Sequence, residues 1–454
     1  MSLSLNRLPI EIRTMIFSQL SQRSLASASR VCRDWPVSAF PFLFHTLYMS
    51  SALHLEVLKE QLSLEDVSDA LSVPVHVKGL ELSGRVPKDS ICHLAYIVPR
   101  LLHLSYIYWG LDFMPESLEW PFKCPALKSV HLWPKLVSTS LEGRSWIKQL
   151  PRFIQFTGLT HFSLKSRSIP YKFNEKHIRP LTSLLESSPN LESIILDLSS
   201  ATKPPRTYSP TLIIEPLGDR LVLSQLRRCH FLGDADPDWF EFATEPTHPL
   251  RTFLARHTSI RDLAISCSTE VSGTGMELNN LPQLPPSIRH LAIPLFMCES
   301  VVESPLALHI ESLAISNLSL HGDDPLGPLA EAVSKVTLPN LRKLEIWAGY
   351  GDFELGSGVF EAFVSAAKGL EELDFKAEVE DYDEFLTALD GAENLRQITV
   401  NPGQLLKPGF PITWNFALNE LAEMCPRLEM ILTHGGQMNR VIRDDSGEIC
   451  WDYM

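Results

Sequence analysis

Along most of the chain a six-residue spacing recurs, apolar-x-x-apolar-x-apolar, usually introduced by Pro, Asn or another turn residue. It stands at Val77-Leu80-Leu82, Leu101-Leu104-Tyr106, Leu127-Val130-Leu132, Leu159-Phe162-Leu164 and Leu191-Ile194-Leu196. It continues at Leu226-Cys229-Phe231, Ile260-Leu263-Ile265, Ile288-Leu291-Ile293 and Ile310-Leu313-Ile315. It closes with Leu341-Leu344-Ile346, Leu370-Leu373-Phe375, Leu395-Ile398-Val400 and Leu428-Ile431, where the last position falls on Thr433. The thirteen copies lie 22 to 35 residues apart, about 29 on average. The last two apolar positions of each copy are separated by one residue, so they share one face of a short strand. Helix-compatible stretches lie between copies, among them 178–187, 328–336, 359–367, 383–389 and 414–424. Each unit of strand, turn and helix buries its apolar face only against its neighbours, which predicts an α/β solenoid. A doubly wound α/β sheet also alternates strand and helix, but thirteen strands without a Gly-rich turn weigh against it.

The first stretch, Leu8 to Leu47, follows another period. Leu8, Ile12, Ile16, Phe17 and Leu20 form one stripe of a helix with 3.6 residues per turn. Pro9 suits the helix start, where its missing N–H has no intrahelical partner to lose. A second stripe runs Leu25, Ala28, Val31 and Cys32, with Ser24 placed to cap the new helix. Trp35, Phe40, Leu43, Phe44 and Leu47 supply a third apolar cluster. A segment of about 40 residues is too short to bury a self-sufficient core, so some of this surface needs a partner in the chain or outside it.

The string Leu8-Pro9-x-Glu11-Ile12, then Ile16-Phe17-x-x-Leu20, Leu25 and Val31-Cys32-Arg33-x-Trp35, resembles the F-box. That resemblance implies a helical module that docks a Skp-type adaptor and, through it, the cullin and RING subunits of a ubiquitin ligase. It assigns the adaptor interface to Leu8, Pro9, Ile12, Ile16, Phe17, Leu25, Val31, Cys32 and Trp35, which would make or support it. Arg13 stands where the family has an apolar residue and Ser24 where an acidic one is common. Pro36 is tolerated if the third helix starts near Arg33, and breaks the helix if it starts earlier. The L-x-x-L-x-L repeats, irregular and without an Asn ladder, resemble the degenerate leucine-rich repeats often joined to F-boxes. The expected fold is therefore α/β, a small N-terminal helical F-box followed by a curved leucine-rich-repeat-like solenoid.

Four segments follow. Residues 1–48 form the helical module, 49–74 a bridging strand and helix, 75–434 the repeats, and 435–454 a closing hairpin turning at Asp445-Ser446-Gly447. Residues 199–216, 233–249 and 271–287 are rich in Pro, Gly, Ser and Thr and read as surface loops.

Composition adds little until charge is located. The net charge of −14 is uneven: residues 1–48 carry five Arg against Glu11 and Asp34, while residues 371–393 carry ten acidic residues against Lys376. The mildly basic module suits an acidic adaptor. The acidic run reads as a solvated face, with a patch for basic substrates as the alternative. No basic footprint suggests nucleic acid, and no apolar run reaches the 18 residues of a membrane span. The start lacks a basic-then-apolar signal pattern, and eight scattered cysteines without a C-x-x-C pair point to buried thiols in a reducing compartment, cytoplasmic or nuclear.

No catalytic or metal-ligating constellation emerges, and no cofactor is expected. Gly349-Tyr350-Gly351 opens like a dinucleotide loop, but Glu354 occupies the third Gly position. If the repeats bind a protein, the residues alternating with the core positions face it: His131, Trp133, Lys165, Asp197, His230, Lys343, Glu345, Trp347, Glu372, Asp374 and Lys376. Trp133 and Trp347 stand out because exposed Trp often anchors interfaces. The function implied is a non-catalytic substrate receptor of an SCF-type ligase whose substrate is an unidentified protein. A repeat scaffold acting outside any ligase is the alternative, and a hydrolase would need a converging nucleophile, base and orienting group.

Overall fold

The computed structural model describes residues 8–31, 35–64, 71–111, 113, 124, 126–133, 156–167, 173–200, 206–266, 284–318, 326–348, 354–406, 413–443 and 448–453. The chain forms two compact units, Met1–Ala201 and Thr202–Met454.

The first unit opens with three short helices, α1 (Ile10–Ser18), α2 (Gln22–Ala28) and α3 (Trp35–Leu43). Phe17, Leu25, Ala28 and Ala39 form their core, with Leu20, Trp35, Phe42 and Leu43 half-buried around it. The cap of α2 is Ser21, whose side chain accepts the Ser24 N–H; Ser24 was expected to cap but lies inside the first turn. Helix α3 begins at Trp35, so Pro36 falls in its first turn, where it costs nothing. Pro41 also lies within α3.

Six parallel strands follow: β1 (Thr46–Met49), β2 (Gly79–Leu82), β3 (Tyr106–Trp109), β4 (Ser129–Leu132), β5 (His161–Ser166) and β6 (Ser193–Leu198). Consecutive strands pair in order. The helices Ala52–Leu64 and Glu175–Glu186 connect rungs and bury Leu55, Leu58, Leu62, Leu181, Leu184 and Leu185. Register shows where the sequence pattern was misframed. Leu80 and Leu82 stand opposite Ile107 and Trp109, both buried, while Tyr106 is only half-buried and stands opposite Gly79. The second copy is therefore Leu104-Ile107-Trp109, three residues later than the spacing Leu101-Leu104-Tyr106. A rung also precedes the first expected copy, because β1 sets Leu47 and Met49 opposite Leu80 and Leu82.

The second unit repeats the design. Strands β7 (Arg228–Gly233), β8 (Asp262–Ile265), β9 (His290–Pro294), β10 (Ser312–Leu318) and β11 (Lys343–Ala348) run parallel in sequence order. The short β12 (Glu354–Leu355) pairs with β14 (Glu378–Val379) apart from the main ladder, which passes from β11 to β13 (Glu372–Lys376), β15 (Gln397–Thr399) and β16 (Met430–Leu432). The helices Gly327–Ser334, Ser357–Ala366, Tyr382–Ala388 and Trp414–Met424 lie where the apolar periodicity places them. Two supposed loops hold helices as well. Pro210–Ile214 is capped by Ser209 and buries Ile213 and Ile214. Trp239–Thr244 is capped by the left-handed Asp238 and buries Trp239 and Phe242. Turn-forming residues frame both segments, and the apolar pairs inside them pull the chain inward.

A backbone device recurs along the rungs. One carbonyl accepts two successive N–H groups of the next strand: His45 those of Lys78 and Gly79, Arg342 those of Glu371 and Glu372. Asn340 and Asn394 supplement it, their side chains donating to the Leu308 and Lys368 carbonyls of the preceding repeat. The pattern stops at Thr433 for a structural reason. There the chain turns back, the Thr433 hydroxyl accepting the Gln437 N–H, and β17 (Met438–Arg443) runs antiparallel to β16. Strand β18 (Ile449–Tyr453) then pairs antiparallel with β17, giving the expected hairpin, whose turn lies outside the described residues.

The thiols are not all buried as expected. Cys229, Cys298 and Cys425 are, whereas Cys92 and Cys450 are exposed; Cys32 and Cys267 lie outside the described residues. Residues 271–283 and the Gly349-Tyr350-Gly351 string also lie outside them.

Candidate functional site

In α1 the sequence stripe splits between two faces. Pro9 is the N-cap, its carbonyl accepting the Arg13 N–H. Phe17 turns inward, 3% exposed, its ring edge-on to Trp35 at 5.4 Å. Ile10, Ile12, Met15, Ile16, Val31 and Val37 point out, between 40% and 66% exposed. Leu8 is half-buried, Pro9 exposed, and Cys32 lies outside the described residues. Of the residues assigned to adaptor docking, Phe17 and Leu25 are core and can act only by supporting the surface, with Trp35 packed beside them. Ile12, Ile16 and Val31 are available directly, and Ile10, Met15 and Val37, which the motif did not flag, extend them. Leaving six large apolar side chains in water on so small a module is costly unless a partner covers them. The module's opposite side is engaged within the unit: Phe40 packs edge-on to His76 at 5.5 Å, and Gln22 donates to the Thr46 carbonyl at 3.3 Å.

The open strand face of the first unit is aromatic. Tyr48, Glu81, Tyr108, His131 and Ser163 stand in one row across β1 to β5. Rings touch along it, Tyr106 to His131 at 5.3 Å, Tyr108 to Trp133 at 6.0 Å and His131 to Trp133 at 6.4 Å. Trp133 is half-buried and donates from Nε1 to Ser163 Oγ at 2.6 Å. Lys165 places its ammonium 5.5 Å from the Trp133 ring and 2.6 Å from Asp197. Burial, then the neighbouring His161, brings His131 down to about 4, so it is neutral at pH 7.

The open face of the second unit is charged and internally paired. Asp262 holds His230 at 2.7 Å and Arg228 at 2.6 Å; burial pushes its pKa up, but those two partners hold it below the usual range. Lys343 lies 2.6 Å from Glu345 and 3.6 Å from Glu372. Asp374 meets His434 at 3.0 Å, its pKa raised by burial and by Glu345. Trp347 is 49% exposed, on β11 with Lys343 and Glu345. The acidic run is thus divided: Glu372 and Asp374 lie on the strand face, while Asp381 caps the helix Tyr382–Ala388 by accepting the Glu384 N–H.

The placed candidates therefore fall into separate groups: His131, Trp133, Lys165 and Asp197 in the first unit, and His230, Lys343, Glu345, Trp347, Glu372, Asp374 and Lys376 in the second. Tyr48, Glu81, Tyr106 and Tyr108 were missed. The alternation in Tyr106-Ile107-Tyr108-Trp109 would have shown both tyrosines facing out, had the repeat been framed from Leu104. Among the described residues no group of His, Cys, Asp and Glu is placed to hold a metal ion, and no described helix is long and apolar enough to cross a membrane.

Residues 5–50 match the family described as F-box-like, so an F-box-like domain stands at the N-terminus. No curated protein matches the chain. Among solved structures, the leucine-rich repeat-containing protein LegL7 from Legionella pneumophila superposes with a TM-score of 0.38 at 14% identity, over 73% of this chain and 92% of that one. A chain in the structure of the Rad7 and Elc1 complex in yeast gives a TM-score of 0.38 at 16% identity, over 94% of this chain and 88% of that one. Neither superposition is close enough to carry an argument about this chain.

Proposed function

We propose that the chain is the substrate-recognition subunit of a cullin-RING ubiquitin ligase of the SCF type. The observation that carries this reading is the coincidence, within residues 5–50, of the F-box-like match and an exposed apolar face on α1 with Val31 and Val37 beside it. That face docks a Skp-type adaptor, and the adaptor brings the cullin and RING subunits. The open strand faces hold a protein substrate, with His131, Trp133, Lys165, His230, Lys343, Glu345, Trp347, Glu372 and Asp374 as the contact candidates. The chain performs no bond chemistry itself. It supplies proximity and orientation while ubiquitin transfer is carried by other subunits.

The test is co-purification of a Skp-type adaptor with the full chain. Substituting Ile12→Glu and Ile16→Glu places two charges on exposed positions that the fold does not need, so the variant melts like wild type yet loses the adaptor. The Leu8→Ala and Pro9→Ala pair is expected to lose it too. Capture of the adaptor by a folded Ile12→Glu/Ile16→Glu variant at wild-type level would overturn the proposed interface. Failure of wild type to capture it would remove the ligase reading and leave a repeat scaffold.

A further inference from the structure

Glu81 stands on β2 between Tyr48 of β1 and Tyr108 of β3, in an arrangement that ion pairing within the unit does not explain. Beside burial, its negative charge acts on Tyr48, Tyr106 and Tyr108 together, helping to raise the pKa of all three phenols. Among the described residues it has no salt-bridge partner, whereas the face carboxylates Asp197, Asp262, Glu345, Glu372 and Asp374 all have a cationic or imidazole neighbour. Burial raises the Glu81 pKa, the Tyr106 hydroxyl working against that shift.

Two glycines make the arrangement possible. A Cβ on Gly79 would meet Thr46 Oγ1 at 2.8 Å and Tyr106 Cδ1 at 3.1 Å, so the Tyr106 ring lies against the bare backbone of β2, on the strand that carries Glu81. A Cβ on Gly110 would meet Tyr108 Cε1 at 2.6 Å, so Tyr108 leans into a second vacancy. Tyr48 and Tyr108 flank Glu81 in register, one strand away on either side. Neighbouring strands are about 4.8 Å apart, so Tyr48 and Tyr108 are the aromatic residues on the two strands next to a cation held by Glu81. Tyr48 is 51% exposed, which leaves the position open to solvent. Within the same patch an ammonium already rides on an aromatic ring, that of Lys165 on Trp133.

We infer that Glu81, with Tyr48, Tyr106 and Tyr108, forms a binding site for a cationic side chain, a guanidinium or ammonium presented by a partner polypeptide. The carboxylate carries a negative charge with no salt-bridge partner among the described residues, and the phenol rings supply π faces beside it. This rests on the reading that the strand faces hold a protein substrate and adds the chemistry of the residue recognised.

The experiment uses the full chain and the pentapeptide acetyl-Ser-Ala-Arg-Ala-Ser-amide, whose single charge avoids general attraction to an acidic protein. Saturation transfer to its side-chain methylenes reports binding, and titration gives the affinity. The same peptide with norleucine in place of arginine is expected to bind at least about tenfold more weakly. Glu81→Gln, and Gly79→Val, which displaces Tyr106, are each expected to weaken the arginine peptide by about tenfold. Glu372→Gln, on the second unit, leaves it within about twofold. Equal binding of the two peptides, or wild-type affinity in a folded Glu81→Gln chain, would overturn the site. Binding of chitobiose that resists Glu81→Gln, with no binding of the arginine peptide, would also overturn it and mark a sugar surface. Adaptor capture by Glu81→Gln is measured in parallel and is expected to match wild type. Its loss in wild type sinks the ligase reading while leaving the peptide result to stand or fall alone.

Discussion

Ile10, Met15 and Val31 of the helical module stand out in water, whereas Leu80, Leu164 and Leu344 of the rungs have no accessible surface. Val31, like the three rung leucines, belongs to an apolar stripe of the sequence, and Ile10 and Met15 lie on the helix that carries another. The difference comes from what lies opposite each stripe. A rung's two inward residues are met by the next rung and by the connecting helix, and every added copy closes the previous one. The module has three short helices and one small core around Phe17, Leu25, Ala28 and Ala39, so only part of its stripe can turn inward. An apolar period predicts a face, and only the count of available neighbours says whether that face is covered.

The sharpest way to break this comparison is to truncate one residue of each kind. Leu344→Ala opens a cavity where Leu313 and Leu373 pack in register from both sides, and should cost roughly 2–5 kcal/mol. Ile16→Ala, at 42% exposure, should stay within about 0.5 kcal/mol. Urea unfolding of the two variants beside wild type measures both. Comparable losses would mean that the α1 face is buried in the free chain, and the docking surface would disappear with that result.

The rungs were legible because a two-residue alternation repeated at regular distance has few readings. Their frame was less secure. Leu101-Leu104-Tyr106 and Leu104-Ile107-Trp109 both satisfy the spacing, and Tyr is at home on either face of a sheet. Only the pairing of β2 with β3 decides between them. In α1 the motif gave the interface segment but could not separate Ile16 from Phe17, adjacent residues on opposite sides of the core boundary. The Glu81 site was hidden for another reason. Glycine in a strand normally signals weakness, and nothing in one dimension shows that Gly79 and Gly110 hold space for tyrosines belonging to neighbouring positions.

The module also carries a buried polar atom left without a partner. Arg13, placed where the F-box pattern favours an apolar residue, is half-buried and keeps its Nε buried with no hydrogen-bond partner. An unsatisfied buried donor costs on the order of 1–3 kcal/mol. Arg13→Leu removes the donor and extends the apolar surface, so it should stabilise the chain by about 1 kcal/mol, read as a higher urea midpoint. A lower midpoint would show that the guanidinium contributes packing or charge that outweighs its unmet donor.

Acid separates the two regions again. His131 lies on the rung face with its pKa brought down to about 4 by burial and by His161, against 6.5 for the free side chain. Between those values an unfolded chain takes up a proton that the folded chain refuses. Its contribution is therefore intact above pH 6.5 and drains away as pH falls toward 4. The three helices of the module contain no histidine. Acid should loosen the first unit's rungs through His131, and His131→Gln, which keeps a polar group near Ser129, should flatten that part of the profile. Urea midpoints at pH 7 and pH 5 provide the check: the gap between them narrows in the variant. An unchanged gap would mean that His131 is solvated well enough to titrate normally, and the aromatic face around it is then wetter than the packed row of Tyr106, His131 and Trp133 implies.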